Sequence, residues 1–64
     1  MSEREELEQQ IRGDMNVLPK NVGRIDVLAM ATAYAPRFNG VPLKHIVDMV
    51  VDEAERQSIP FSGN

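Results

Sequence analysis

Apolar side chains recur at Leu43, Ile46, Val47, Val50 and Ala54, at i, i+3, i+4, i+7 and i+11, so a helix of period 3.6 carries them in one stripe. Lys44, Asp48, Asp52, Glu55 and Arg56 fall on the opposite side, which gives that helix one face for a core and one for water. Upstream, Pro19 blocks helix at Leu18 and suits the first turn of a new one, so a second helix is expected from about Pro19 or Lys20. Val22, Ile25, Leu28, Ala29 and Thr32 form its principal face. Val27, Met30, Ala31 and Ala33 add apolar surface round the sides, and only Arg24 and Asp26 mark the wet side. Pro36 terminates this helix, Asn39-Gly40 is a turn dipeptide, and Pro42 opens the amphipathic helix, so the two form a hairpin. Ser58-Ile59-Pro60 closes it. Tyr34 and Phe38 plug the end of the pair, and Ile59 and Phe61 can fold back on the core.

The first thirteen residues have a thinner pattern. Ser2 with Glu5 is a capping box, and Glu3, Glu5 and Glu6 suit the positive end of a helix running to about Arg12. Only Leu7 and Ile11 are apolar on it, so it is either a helix docked through those two side chains or a frayed arm. Gly13 is expected to end it, and the weak alternation of Asp14-Met15-Asn16-Val17-Leu18 allows a short strand. The fold class is therefore mainly α: an N-terminal helix or arm, a short strand at 14–18, then the hairpin. A three-helix all-α bundle is the alternative. The organisation is one small domain over 1–64, with an acidic N-terminal segment at 1–13, a core at 14–57 and a tail at 58–64.

A chain of 64 residues buries only about 60% of the surface that its unfolded form exposes, and it usually needs a disulfide, a metal or a partner. Cysteine is absent, which removes disulfides and fits a reducing, cytoplasmic setting. A partner chain is the remaining support. The surplus apolar surface points the same way, so a homodimer is expected, with Val27, Met30, Tyr34, Ile46, Val47 and Val50 at the dimer or partner interface. No signal-like segment opens the sequence and no apolar run reaches membrane-spanning length, so no membrane is expected; 64 residues offer no pocket of ordinary size, so no small-molecule substrate is expected either.

Candidate chemistry is sparse. His45 is the one histidine and has no Ser at helical spacing for a base to serve; a packed or surface role is the simpler one. His45, Asp48 and Asp52 would make a poor metal cage, and they read better as a solvated face. No metal, cofactor or catalytic residue is assigned, and no enzyme activity is expected. Charge changes the picture more. Residues 1–14 carry Arg4 and Arg12 against five acidic side chains. Residues 15–47 carry Lys20, Arg24, Arg37 and Lys44 against Asp26 alone, and residues 48–64 carry Arg56 against four acidic side chains.

The order of parts, with Leu18-Pro19-Lys20, a helix containing Arg24-Ile25-Asp26-Val27-Leu28-Ala29, a turn at Gly40 and a helix carrying Ile46, Val47 and Val50, resembles the ribbon-helix-helix family of Arc and MetJ type. What the resemblance implies is a dimeric DNA-binding transcriptional regulator whose paired strands enter the major groove. Carried over by position, the ribbon is 14–18 with Asn16 reading bases, Lys20, Arg24 and Lys44 contact phosphate, and the Gly40 turn holds the backbone. The second function compatible with the residues is a small helical protein-interaction module, an inhibitor or adaptor, presenting Val27, Met30, Ala31 and Tyr34 to another protein.

Overall fold

The structure, a computed structural model, describes residues 2–19 and 23–62. It is mainly helical. Helix α1 spans Glu3–Asn16, strand β1 Ile25–Asp26, helix α2 Val27–Tyr34 with a 3-10 turn at Ala35–Arg37, helix α3 Leu43–Arg56 and strand β2 Phe61–Ser62.

Helix α1 starts as its cap predicts. The Ser2 hydroxyl accepts from the Glu5 amide at 3.2 Å, and the Glu5 carboxylate accepts from the Ser2 amide at 3.1 Å. It does not stop at Gly13. Met15 stands one turn beyond Ile11 on the same stripe as Leu7, and all three are buried. Burying a Met side chain gains about 1.5–3 kcal/mol, more than the roughly 1 kcal/mol that a helical glycine costs. Residues 14–16, expected in a strand, are thus the last turn of this helix, and Leu7 and Ile11 are docked rather than frayed.

Helix α2 begins later than the Pro19 signal suggests. Gly23 takes a φ of +83°, which side-chain-bearing residues rarely adopt, so the chain is not helical at that residue. Asp26, read from sequence as a wet-side helix residue, is the N-cap, and its carboxylate accepts from the Ala29 amide at 3.0 Å. Ile25 and Asp26 instead pair in parallel with Phe61 and Ser62, and the Ile25 amide donates to the Pro60 carbonyl at 3.0 Å. The tail is thereby tied to the entry of α2, with Ile59 and Phe61 half-buried against the core. Lys20 and Val22, expected on phosphate and in the core, lie outside the described residues.

One cluster joins Leu7, Ile11 and Met15 of α1 to Val27, Ala31 and Tyr34 of α2 and to Ile46, Met49, Val50 and Ala54 of α3. Phe38 and Val41 close it at the hairpin turn, with the Tyr34 and Phe38 rings packed edge to face at a centroid separation of 6.4 Å. The covering that the hairpin needs comes from α1. Leu43, placed in the stripe by its spacing, sits at the helix start and is 43% exposed.

Helix α3 ends in a Schellman arrangement. The Ile59 amide donates to the Ala54 carbonyl at 2.8 Å and the Ser58 amide to the Glu55 carbonyl at 3.1 Å, which puts Ser58 at φ +58°. A Cβ is disfavoured in that conformation, so Ser58→Gly is expected to raise stability by up to about 1 kcal/mol. A chemical denaturation midpoint that fell instead would show that the Ser58 side chain contributes more than its backbone costs.

Candidate interaction surface

The residues expected to touch DNA do not share one surface element. Asn16 is exposed at the C-terminal end of α1, Arg24 is exposed just before β1, and Lys44 is exposed in the first turn of α3. Asn16 lines a cleft of about 350 Å³ beside the tail, together with Met15, Leu18, Gly23, Ile59 and Pro60. The Gly40 amide, expected to hold a phosphate, already donates to the Glu3 carboxylate of α1. A Cβ at Gly40 would lie 2.7 Å from that carboxylate oxygen, the far end of a flexible side chain that can shift to make room. An intramolecular acid thus sits where the resemblance puts an anion.

Of the residues expected at an interface, Val27, Tyr34, Ile46 and Val50 are buried within the chain itself, and Met30 and Val47 are half-buried at its margin. Helix α2 is turned relative to its sequence reading. Leu28, Ala29 and Thr32, assigned to the principal core face, point outward with Ala33 and Pro36, while Val27, Ala31 and Tyr34 point inward. Leu28 is 50% exposed. The Thr32 hydroxyl donates back to the Leu28 carbonyl at 2.7 Å, so it makes no demand on a partner and leaves its methyl group to the surface. No charged residue occurs between Asp26 and Arg37, both of which are exposed.

Two polar contacts fix the other faces. Glu53, one of the acidic residues of the C-terminal segment, is buried on α3, where its carboxylate meets Arg12 of α1 at 3.6 Å and Arg56 at 3.3 Å and accepts from the Gln57 amide group at 2.6 Å. Its spacing of seven from Ile46 and three from Val50 was the available sign that it lies on the stripe. The Tyr34 hydroxyl donates to Asp14 of α1 at 2.5 Å, and Asp14 also accepts from Gln10 at 2.9 Å. Burial, then the bond to the Asp14 carboxylate and its charge, push the Tyr34 hydroxyl well above the ordinary tyrosine range, with the Arg37 charge opposing in part.

A proton held more tightly in the folded than in the unfolded chain contributes stability that is complete below about pH 10, the ordinary tyrosine value, and is lost as pH rises above it. The folded protein is therefore expected to lose stability steeply above about pH 10, and Tyr34→Phe, which has no proton to lose, should flatten that decline. Thermal melts of both proteins between pH 8 and 11 check this, and parallel alkaline declines would show that another group is responsible.

No helix among the described residues is long and apolar enough to cross a membrane, and no group of three or more His, Cys, Asp or Glu side chains among them is arranged to hold a metal ion. Comparison of the chain with protein-family models, with curated proteins and with solved structures found no match.

Proposed function

We propose that this chain is a small helical protein-interaction module, and that its binding face is the outer side of α2, from Leu28 through Ala29, Thr32 and Ala33 to Pro36. The observation that carries it is a helix whose inner side is satisfied by the chain's own core while its outer side shows Leu28 half-exposed and no charge for ten residues. Charged side chains crowd the exposed sides of α1 and α3, which makes the neutral α2 face distinct from the rest of the described helical surface.

DNA regulation has less support. Asn16 belongs to a helix end rather than a ribbon, and Glu3 holds the Gly40 amide. Arg24 and Lys44 remain exposed, so duplex binding is a matter for direct titration.

Site-specific photocrosslinking tests the proposal. A benzoylphenylalanine at Ala33 should give a discrete protein adduct in cells that contain the chain, and Leu28→Glu should abolish it. The same probe at Glu8 on α1 should give none. Equal adducts from both positions, together with salt-dependent association of the pure chain with random duplex DNA, would replace this reading with the DNA one.

A further inference from the structure

We infer that the partner of the outer α2 face is a second copy of this chain, docked antiparallel about a two-fold axis. This deepens the protein-interaction reading and rests on it. The argument comes from how charge is placed at the two ends of the face. Asp26 precedes it as the N-cap of α2 and Arg37 follows it at the end of the 3-10 turn, so the face has one acidic and one basic end, both exposed.

An isologous interface repeats every contact twice, so a surface suited to it must complement itself. Antiparallel docking does that here. With Thr32 laid over Thr32 of the partner subunit, Leu28 lies over Pro36 of the partner subunit, and the Asp26 carboxylate meets the Arg37 guanidinium of the partner subunit at each end. Parallel docking would set Asp26 against Asp26 and Arg37 against Arg37. The exposed residues between these ends are Leu28, two alanines, a threonine whose hydroxyl is internally bonded, and a proline, so the backbones approach closely and no polar group is stranded. Antiparallel helix dipoles add to the same preference.

The face is short. The eight residues of α2 span about 12 Å and the three of the 3-10 turn about 6 Å more, less than the extent of a standard interface with its roughly 800 Å² per partner. A dimer of about micromolar to high-micromolar dissociation constant is therefore expected, in equilibrium with a folded monomer whose core is already closed by α1.

Sedimentation equilibrium of the full chain from about 5 µM to 1 mM reads this directly. The weight-average mass should rise from monomer toward dimer, and Leu28→Glu should hold it at monomer while far-UV circular dichroism stays unchanged. Arg37→Asp should remain monomeric alone, because it sets like charges at both ends while leaving the Asp26 cap of α2 in place. Arg37→Lys, which keeps the charge, should still dimerise. A mass that stays monomeric to 1 mM overturns the inference, as does a dimer that survives Leu28→Glu or Arg37→Asp. Monomeric sedimentation with an Ala33 adduct to a different protein would overturn self-association and leave the interaction module standing. Monomer together with no adduct would remove both.

Discussion

Val50→Asp is expected to unfold the protein, whereas Asp52→Ala two positions on is expected to leave its melting temperature within about 2–4 °C of the parent. Val50 is completely buried in the middle of the α3 stripe, between Ile46 and Ala54. A carboxylate placed there without a partner costs several kcal/mol, and the only buried carboxylate that the described core does hold, Glu53, needs Arg12, Arg56 and Gln57 around it. A chain of 64 residues has roughly 3–10 kcal/mol of stability in total. The substitution therefore removes most or all of it. Asp52 is exposed and makes no ion pair among the described residues, so its loss touches little. Far-UV circular dichroism melts of the two variants decide the point, and equal melting temperatures would mean that the α3 face has been assigned the wrong way round.

That contrast rests on the part of the fold most legible in the sequence. Helix α3 is fourteen residues long and alternates apolar and charged positions cleanly, so its inner side was readable from spacing alone. Helix α2 is eight residues long and apolar nearly all round, and periodicity cannot say which side of such a segment faces inward. Its rotation is set by where it starts. The start is set by a positive φ at Gly23 and by the Asp26 cap three residues before the Ala29 amide, and that second signal was present in the sequence. Taking Asp26 as a mid-helix residue moved the start back toward Pro19 and turned Leu28, Ala29 and Thr32 toward the core. The candidate surface followed from the same reading, in which Val27, Met30 and Tyr34 were offered to a partner; Val27 and Tyr34 are buried within the chain and Met30 is half-buried, while Ala29 and Ala33 are exposed. The pairing of Ile25-Asp26 with Phe61-Ser62 left no trace, because two residues on each side are too few for a period of two to show. Helix α1 lost its third core residue to Gly13, which reads as a stop although Met15 carries the stripe one turn further.

The N-terminal helix is where the two descriptions diverge most in expected outcome. A frayed arm could lose Leu7 and Ile11 with no effect on melting. In the fold described, Leu7 is fully buried and Ile11 nearly so, and they belong to the same core cluster as Val27, Ile46 and Val50. Truncating a buried Leu or Ile to Ala costs about 2–5 kcal/mol, the spread depending on how far the site collapses. The two are one turn apart and share partners, so their effects are not strictly additive, yet even a combined loss well short of the sum takes most of the roughly 3–10 kcal/mol available. Leu7→Ala with Ile11→Ala is therefore expected to abolish cooperative unfolding at room temperature, and deleting residues 2–12 should do the same. Glu8→Ala, on the exposed side of the same helix, should change stability by no more than about 0.5 kcal/mol. Urea titrations followed by far-UV circular dichroism separate the outcomes. A double variant that retains the parent midpoint would show that residues 25–62 fold without α1, and the polar ties from Glu3 to Gly40, Asp14 to Tyr34 and Arg12 to Glu53 would then be surface contacts of an appendage.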